Sequence, residues 1–140
     1  MNLTLTVHLP PELSSVARAR DLLDAMLALA EAGEHCRSHL AIVITEACAN
    51  AVLHGDVSAM VELAIVIDLD ACAIEVGNRG RTPRIGRLAA IPPDPRRIHG
   101  RGLPLIAALT DTAAFVEIAD GRVLLRMTRR LGQFTPSSSA

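Results

Sequence analysis

From Met60 to Asp68 the sequence alternates without a fault: Val61, Leu63, Ile65 and Ile67 fall on one side, and Glu62, Ala64, Val66 and Asp68 on the other. A two-residue period of this kind makes a strand with one buried face and one wet face. A short turn near Asp70 leads to a second strand at about 72–78, so the pair reads as an antiparallel hairpin. A lone hairpin is barely stable in water and needs more strands, or helices, on its apolar face. The rest of the chain supplies them. Residues 2–8 alternate as a first strand. Pro10 and Pro11 open a helix in which Leu13, Val16, Leu22, Leu23, Met26 and Leu27 recur at helical spacing; it is expected to run to about Ala32, with Gly33 as its stop. A second helix spans about His35 to His54 and ends at Gly55, offering Leu40, Val43, Ile44, Ala47 and Ala51 for packing. A short helix is predicted at 103–110, and strands at about 112–119 and 122–130 flank Asp120-Gly121, a strong hairpin signal.

The order is therefore β-α-α-β-β, a long irregular stretch, then α-β-β. Antiparallel strands with segregated helices imply an α+β fold, a two-layer sandwich in which helices cover one face of a mostly antiparallel sheet. With 140 residues in all, a single domain over 1–131 is expected, followed by a flexible tail at 132–140 that contains Ser137, Ser138 and Ser139. Residues 79–99 show no periodicity and hold Gly80, Pro83, Gly86, Pro92, Pro93 and Pro95. So long a structureless stretch inside a compact domain is usually functional, and a lid is the expectation.

Composition removes several function classes. The chain has no Lys, which excludes a Walker-type phosphate loop and Schiff-base chemistry. It has no Trp or Tyr and only two Phe, so stacking platforms for nucleic-acid bases are missing and no direct nucleic-acid partner is expected. Cys36, Cys48 and Cys72 form no CxxC pair and read as small buried hydrophobes in a reducing, cytoplasmic setting. His35 and His39 share a helical face, but no third ligand at metal spacing accompanies them. No apolar run is long enough to cross a membrane, and the N-terminus lacks the basic region of a signal peptide. The formal charge of −1 hides an asymmetry: residues 1–78 hold 3 Arg and 11 acids, and residues 79–140 hold 11 Arg and 4 acids. Seven of those Arg fall between Arg79 and Arg101, a patch that suits phosphate groups or an acidic protein surface and is equally compatible with a solvated loop.

Three short stretches could carry chemistry. Glu46 and Asn50 are four apart and share a helical face, with His54 four further on. Such groups among Ala, Val, Ile and Leu face either solvent or a polar cavity, since burial without partners is costly. A carboxylate there can act as a general base, and an amide oxygen can ligate Mg²⁺. Next, a strand ends at Asn78, and Gly80 permits close approach of the backbone to a ligand. Last, Gly100-Arg101-Gly102-Leu103 opens a helix whose free N–H groups and dipole favour an anion.

Taken in order, Glu-x-x-x-Asn on a helix, Asn-x-Gly at a strand end, a lid, and Gly-x-Gly-Leu at a helix start resemble the GHKL ATPase superfamily, the Bergerat fold. Within it, the stretch from Thr45 to Gly55 resembles the corresponding box of the bacterial anti-sigma factor serine kinases. The resemblance spans roughly residues 2–130. It implies ATP and Mg²⁺ as cofactors, with Asn50 as the metal ligand and Glu46 as the general base for an attacking hydroxyl. It places His54 near the phosphates, Asn78 at the base, and the N–H groups of Gly100, Arg101 and Gly102 on the phosphates, with Gly80 and Leu103 also in the nucleotide site. The partners it implies are a sigma factor, which the kinase sequesters, and an anti-anti-sigma protein of STAS type, which it phosphorylates on serine. Such kinases often act as homodimers, without a membrane anchor. Two positions depart from the pattern: the family has an Asp where Asn78 stands, and a second glycine where Thr82 stands. A charged hydrogen bond contributes ~1.5–3 kcal/mol and a neutral one ~0.5–1.5, so nucleotide binding weaker by roughly tenfold is expected. The alternative is a catalytically degenerate relative that acts only by binding its partner, with weak or no nucleotide binding.

Overall fold

The computed structural model describes residues 1–55, 58–79, 86–87, 102–118 and 122–132. Six strands form one sheet in the order β1-β2-β3-β6-β5-β4, and every pairing in it is antiparallel. The strands are β1 (Leu3–Leu9), β2 (Val61–Ile67), β3 (Ala71–Arg79), β4 (Gly86–Arg87), β5 (Thr112–Ile118) and β6 (Arg122–Arg130). The helices are α1 (Ser14–Leu29), α2 (Glu34–His54) and α3 (Gly102–Leu109). The α+β sandwich expected from the order of elements is the fold observed.

The alternation in β2 does what its period requires. Val61, Leu63, Ile65 and Ile67 are buried, in register with Cys72, Ile74 and Val76 of β3, and β6 adds Val123, Leu125 and Met127 to the same face. Helix α2 lies on this face with Leu40, Val43, Ile44, Ala47 and Ala51 all buried, the set its sequence offered, joined by Cys36 and Cys48. Helix α1 packs beside α2 through Ala19, Leu23 and Leu27. Leu13, counted with the apolar stripe, is instead 64% exposed, because it is the N-cap and lies before the first helical turn.

The end of α1 differs from expectation. The helix stops at Leu29, and Glu31 takes a left-handed conformation with φ 56°. The amide of Glu31 donates to the Ala28 carbonyl (3.1 Å) and that of Ala32 to the Leu27 carbonyl (2.9 Å), the paired bonds of a Schellman motif. Gly33 is not the stop. It has extended backbone (φ −66°, ψ 157°) and is the N-cap of α2. The stretch from 79 to 99 is likewise not wholly irregular: β3 extends to Arg79, and β4 pairs Gly86 with Phe115 and Arg87 with Ala114. The rest of that expected lid, the Asp120-Gly121 turn, and the tail from 133 onward lie outside the described residues.

The charge asymmetry is resolved across the sheet. On the face away from the helices, Arg126 of β6 donates to Glu75 of β3, its register partner, at 2.6 Å. Arg122 reaches past β3 to donate to Glu62 of β2. Gly77 lies between them, paired with Glu62 on one side and with Leu124 on the other. A Cβ on Gly77 would fall 2.8 Å from the end of the Leu124 side chain, so the bare backbone leaves Leu124 its room, while the Glu62 carboxylate, at 3.5 Å, would be in ordinary contact. Arg129 points the other way, into the core, where it is 2% exposed and donates to the Leu109 carbonyl at 3.3 Å. Burial pushes its guanidinium below the ordinary value.

Candidate functional site

A cavity of about 180 Å³ opens between the C-terminal half of α2 and the start of α3, lined by Glu46, Ala49, Asn50, Leu53, His54, Gly102 and Leu103. The helical period explains its wall: residues 46, 50 and 54 follow one another up the same side of α2. The opposite side of that helix holds Ile44, Ala47, Cys48 and Ala51 in the core, which fixes the rotation of α2 and aims the polar side outward. Glu46 and Asn50 therefore face a polar cavity, one of the two settings their chemistry allowed. Helix α3 is anchored by Ile106, which is fully buried, and by the Thr110 hydroxyl donating to the Ile106 carbonyl at 2.7 Å.

The two walls touch at Glu46 and Gly102. A Cβ on Gly102 would stand 2.6 Å from Glu46 Oε2 and 3.5 Å from its Cδ. Gly102 is the first residue of α3, so the Glu46 carboxylate sits at the positive end of that helix, where unpaired N–H groups gather. A helix start, a carboxylate and an amide converging on one cavity can hold a phosphate chain and a hard cation together. The amide oxygen of Asn50 is a hard donor that fits Mg²⁺ and would suit a soft metal poorly.

Asn78 lines a neighbouring cavity of about 170 Å³, together with Ala59, Met60, Glu62 and Arg122. It is joined to α2 by a hydrogen bond from its Nδ2 to the Ala51 carbonyl, at 3.1 Å. Ala51 follows Asn50 in the chain, so this bond runs between the two cavities' walls. Five of the expected site residues, Glu46, Asn50, His54, Gly102 and Leu103, thus meet at one cavity, and Asn78 lies at the next. Gly80, Gly100 and Arg101 lie outside the described residues. Sequence reasoning had read Glu62 only as the wet side of a strand and gave Arg122 no role. Their pairing depends on β6 lying beside β3, which no local pattern announces.

The remaining titratable groups of note lie away from both cavities. Burial holds the Cys48 and Cys72 thiols up to about 12 and also raises Cys36. Burial lowers His39, and the Arg129 charge adds to the effect. The rings of His35 and His39 are 6.3 Å apart. Among the described residues no three His, Cys, Asp or Glu side chains group as a metal site would require, and no helix is long and apolar enough to cross a membrane.

Residues 9–129 match the family model of the histidine kinase-like ATPase domain. The chain belongs to that family. No curated protein sequence matches it. Among solved structures, it is similar to the RsbU and RsbW domains of Rv1364c from Mycobacterium tuberculosis, at TM-score 0.71 and 22% identity. That match covers 96% of this chain and 34% of the other, so the chain spans about a third of that protein. It is also similar to the SiaB–SiaC complex from Pseudomonas aeruginosa, at TM-score 0.58 and 17% identity, over 90% of this chain and 89% of the other. At these identities the likeness is one of fold.

Proposed function

We propose that this chain is an ATP-dependent protein serine kinase and anti-sigma factor: it binds a sigma factor and phosphorylates a serine on an anti-anti-sigma partner of STAS type. The observation that carries the reading is the cavity itself, with Glu46 and Asn50 on one side of α2 and the start of α3 opposite, in a chain of the histidine kinase-like ATPase family. The fold shared with the RsbW-containing chain and with the SiaB–SiaC complex supports the partner class.

In this reading the N–H groups at the start of α3 hold the phosphate oxygens. Asn50 would hold Mg²⁺ through its amide oxygen, and the ion would neutralise charge on the phosphates. Glu46 accepts the proton of the partner's serine hydroxyl as that oxygen attacks the γ-phosphorus. A P–O bond to the serine forms, the bond to the β-phosphate oxygen breaks, and ADP departs with the electron pair. Little covalent work falls to the protein, whose part is positioning and charge stabilisation.

The test is calorimetric titration with ATP and ADP, with and without Mg²⁺, followed by transfer of labelled γ-phosphate to STAS-domain proteins. Binding of ATP that requires Mg²⁺, with label on a partner serine, is expected. A folded protein that binds neither nucleotide would sink the kinase reading. The second reading, a regulator that only binds its partner, is favoured by Asn78 standing where a carboxylate is the family pattern. It predicts partner binding unchanged by nucleotide.

A further inference from the structure

Helix α2 has 21 residues, and the core takes up only one side of it. Among the described residues it packs against α1, α3, β2 and β3. Along its outer side runs a row of four residues, Ile42, Glu46, Ala49 and Leu53, spaced four, three and four apart. That is the spacing of the a and d positions of a heptad, the row from which one helix presents knobs to another. Ile42 is 42% exposed and Leu53 47%, whereas Leu40, Val43, Ile44 and Ala47 on the inner side are buried. Glu46 and Ala49, between them, are half-buried. A helix face that only meets water carries polar groups at such positions. Glu46, Ala49 and Leu53 also line the candidate cavity, while Ile42 lies one turn before Glu46 and outside it.

We propose that the row from Ile42 to Leu53 is a docking surface on which the phosphoacceptor partner lays an amphipathic helix. The inference rests on the kinase reading of the cavity. Three features choose the occupant. The spacing of the row matches the ridge of a second helix and not the two-residue period of a strand. The row also passes through Glu46, so a chain that covers Ile42 and Leu53 sets one of its residues over that carboxylate. An apolar residue there would strip water from Glu46 and return no hydrogen bond, whereas a hydroxyl satisfies it, and this fixes the register of the partner helix. The third feature is charge. Residues 14–54, which hold α1 and α2, contain three Arg and five acids. Of those Arg, Arg37 is engaged by Asp24 through two hydrogen bonds, at 3.0 and 2.9 Å. The helical layer thus surrounds the row with a surplus of negative charge. A partner helix with Arg or Lys beside its apolar stripe complements it.

The experiment follows transfer of labelled γ-phosphate to the STAS-domain protein that the parent phosphorylates, over a range of acceptor concentrations. It compares the parent with Ile42→Asp and with Leu69→Asp, and each is also titrated calorimetrically with ATP. Leu69, 79% exposed between β2 and β3, is the control for an exposed apolar residue off the row. Ile42→Asp is expected to raise the acceptor KM at least about tenfold. Its ATP affinity and its rate at saturating acceptor should stay within about twofold of the parent, the pattern of lost docking alone. Leu69→Asp should change none of these. A photo-crosslinking side chain in place of Ile42 is expected to attach to a helix of the acceptor, about one turn from the labelled serine. An unchanged KM in Ile42→Asp overturns the docking surface, as does an equal rise in Leu69→Asp. A matching loss of ATP affinity in Ile42→Asp, or a crosslink to a strand or loop of the acceptor, overturns it too. A parent that labels no STAS-domain protein overturns the kinase reading, and this inference with it. If Ile42→Asp fails to fold, Ile42→Ser decides the KM.

Discussion

The Glu46 carboxylate occupies the space that a side chain on Gly102 would need: a Cβ there would lie 2.6 Å from Glu46 Oε2. The carboxylate and the first residue of α3 can be neighbours only because the second has no side chain. Gly102 is thus tied to the position of an acid on another helix as well as to the helix start it opens.

Gly102→Ala is accordingly expected to push Glu46 off its position. Over-packing at a tight contact costs about 1–3 kcal/mol, part of which Glu46 relieves by turning away. The expected outcome is a modest drop in the denaturant midpoint and, on the proposed kinase reading, a loss of phosphotransfer similar to that of Glu46→Gln, about 10²–10⁴-fold. Adding Glu46→Gln to Gly102→Ala should then lower the rate little further. Full additivity of the two losses would show that Gly102 acts apart from Glu46.

Glu31 makes a simple stability test. It holds φ 56° at the end of α1, a conformation that costs an L-residue about 1–2 kcal/mol and glycine almost nothing. Glu31→Gly should raise stability by about 1 kcal/mol, read as a higher urea midpoint at unchanged slope. Gly33→Ala should be neutral to stabilising, since nothing lies within 4 Å of its missing Cβ and its φ of −66° suits any residue. A loss of stability in Glu31→Gly would contradict the left-handed cap.

Asp68 sets part of the acid limit. Its carboxylate accepts the amides of Asp70 at 2.7 Å and Ala71 at 2.8 Å in the β2–β3 turn, and these bonds hold its pKa below the ordinary 3.8. A depressed folded value means that the unfolded chain binds the proton first. The contribution is therefore present above about pH 4 and is lost as pH falls through the lower folded value. Asp68→Ala should remove this part of the parent's acid destabilisation while lowering stability at neutral pH. Parallel stability–pH curves below pH 4 would show that the turn bonds do not favour the charged form.

The thiols should be silent in the native state. Cys36, Cys48 and Cys72 are free and buried, and those of Cys48 and Cys72 stay protonated to about 12. Because the thiolate is the nucleophile, a disulfide reagent at pH 8 should modify native protein at the rate of unfolding and denatured protein at once. Rapid native labelling of Cys48 would mean that α2 does not pack as described.

Local periods carried much of the fold. The alternation in β2 and the helical spacing in α2 each report which side is buried, and burial then fixes where Glu46, Asn50 and His54 point. What escaped the sequence depends on partners distant along the chain. Leu27 and Ala28 end α1 by accepting amides across a left-handed Glu31, a choice that no glycine marks. β4 has two residues, too few to show a period, and exists through Phe115 and Ala114. The bond from Asn78 to Ala51 joins positions 27 apart. A sequence reader sees the amide only as a weakened acid, because the carbonyl it serves is on another element.

β6 is the last strand of the sheet in chain order, yet it lies inside, between β3 and β5. A ribosome delivers it after every other strand. Until it emerges, β3 has a bare edge, Glu62 and Glu75 have no arginine on β6 to pair with, and β5 is not joined to β3. The earlier strands and α1 and α2 can gather beforehand as a smaller sheet, but that sheet cannot reach β5. The complete sheet should therefore form late in synthesis, when the final strand slots into the gap between β3 and β5.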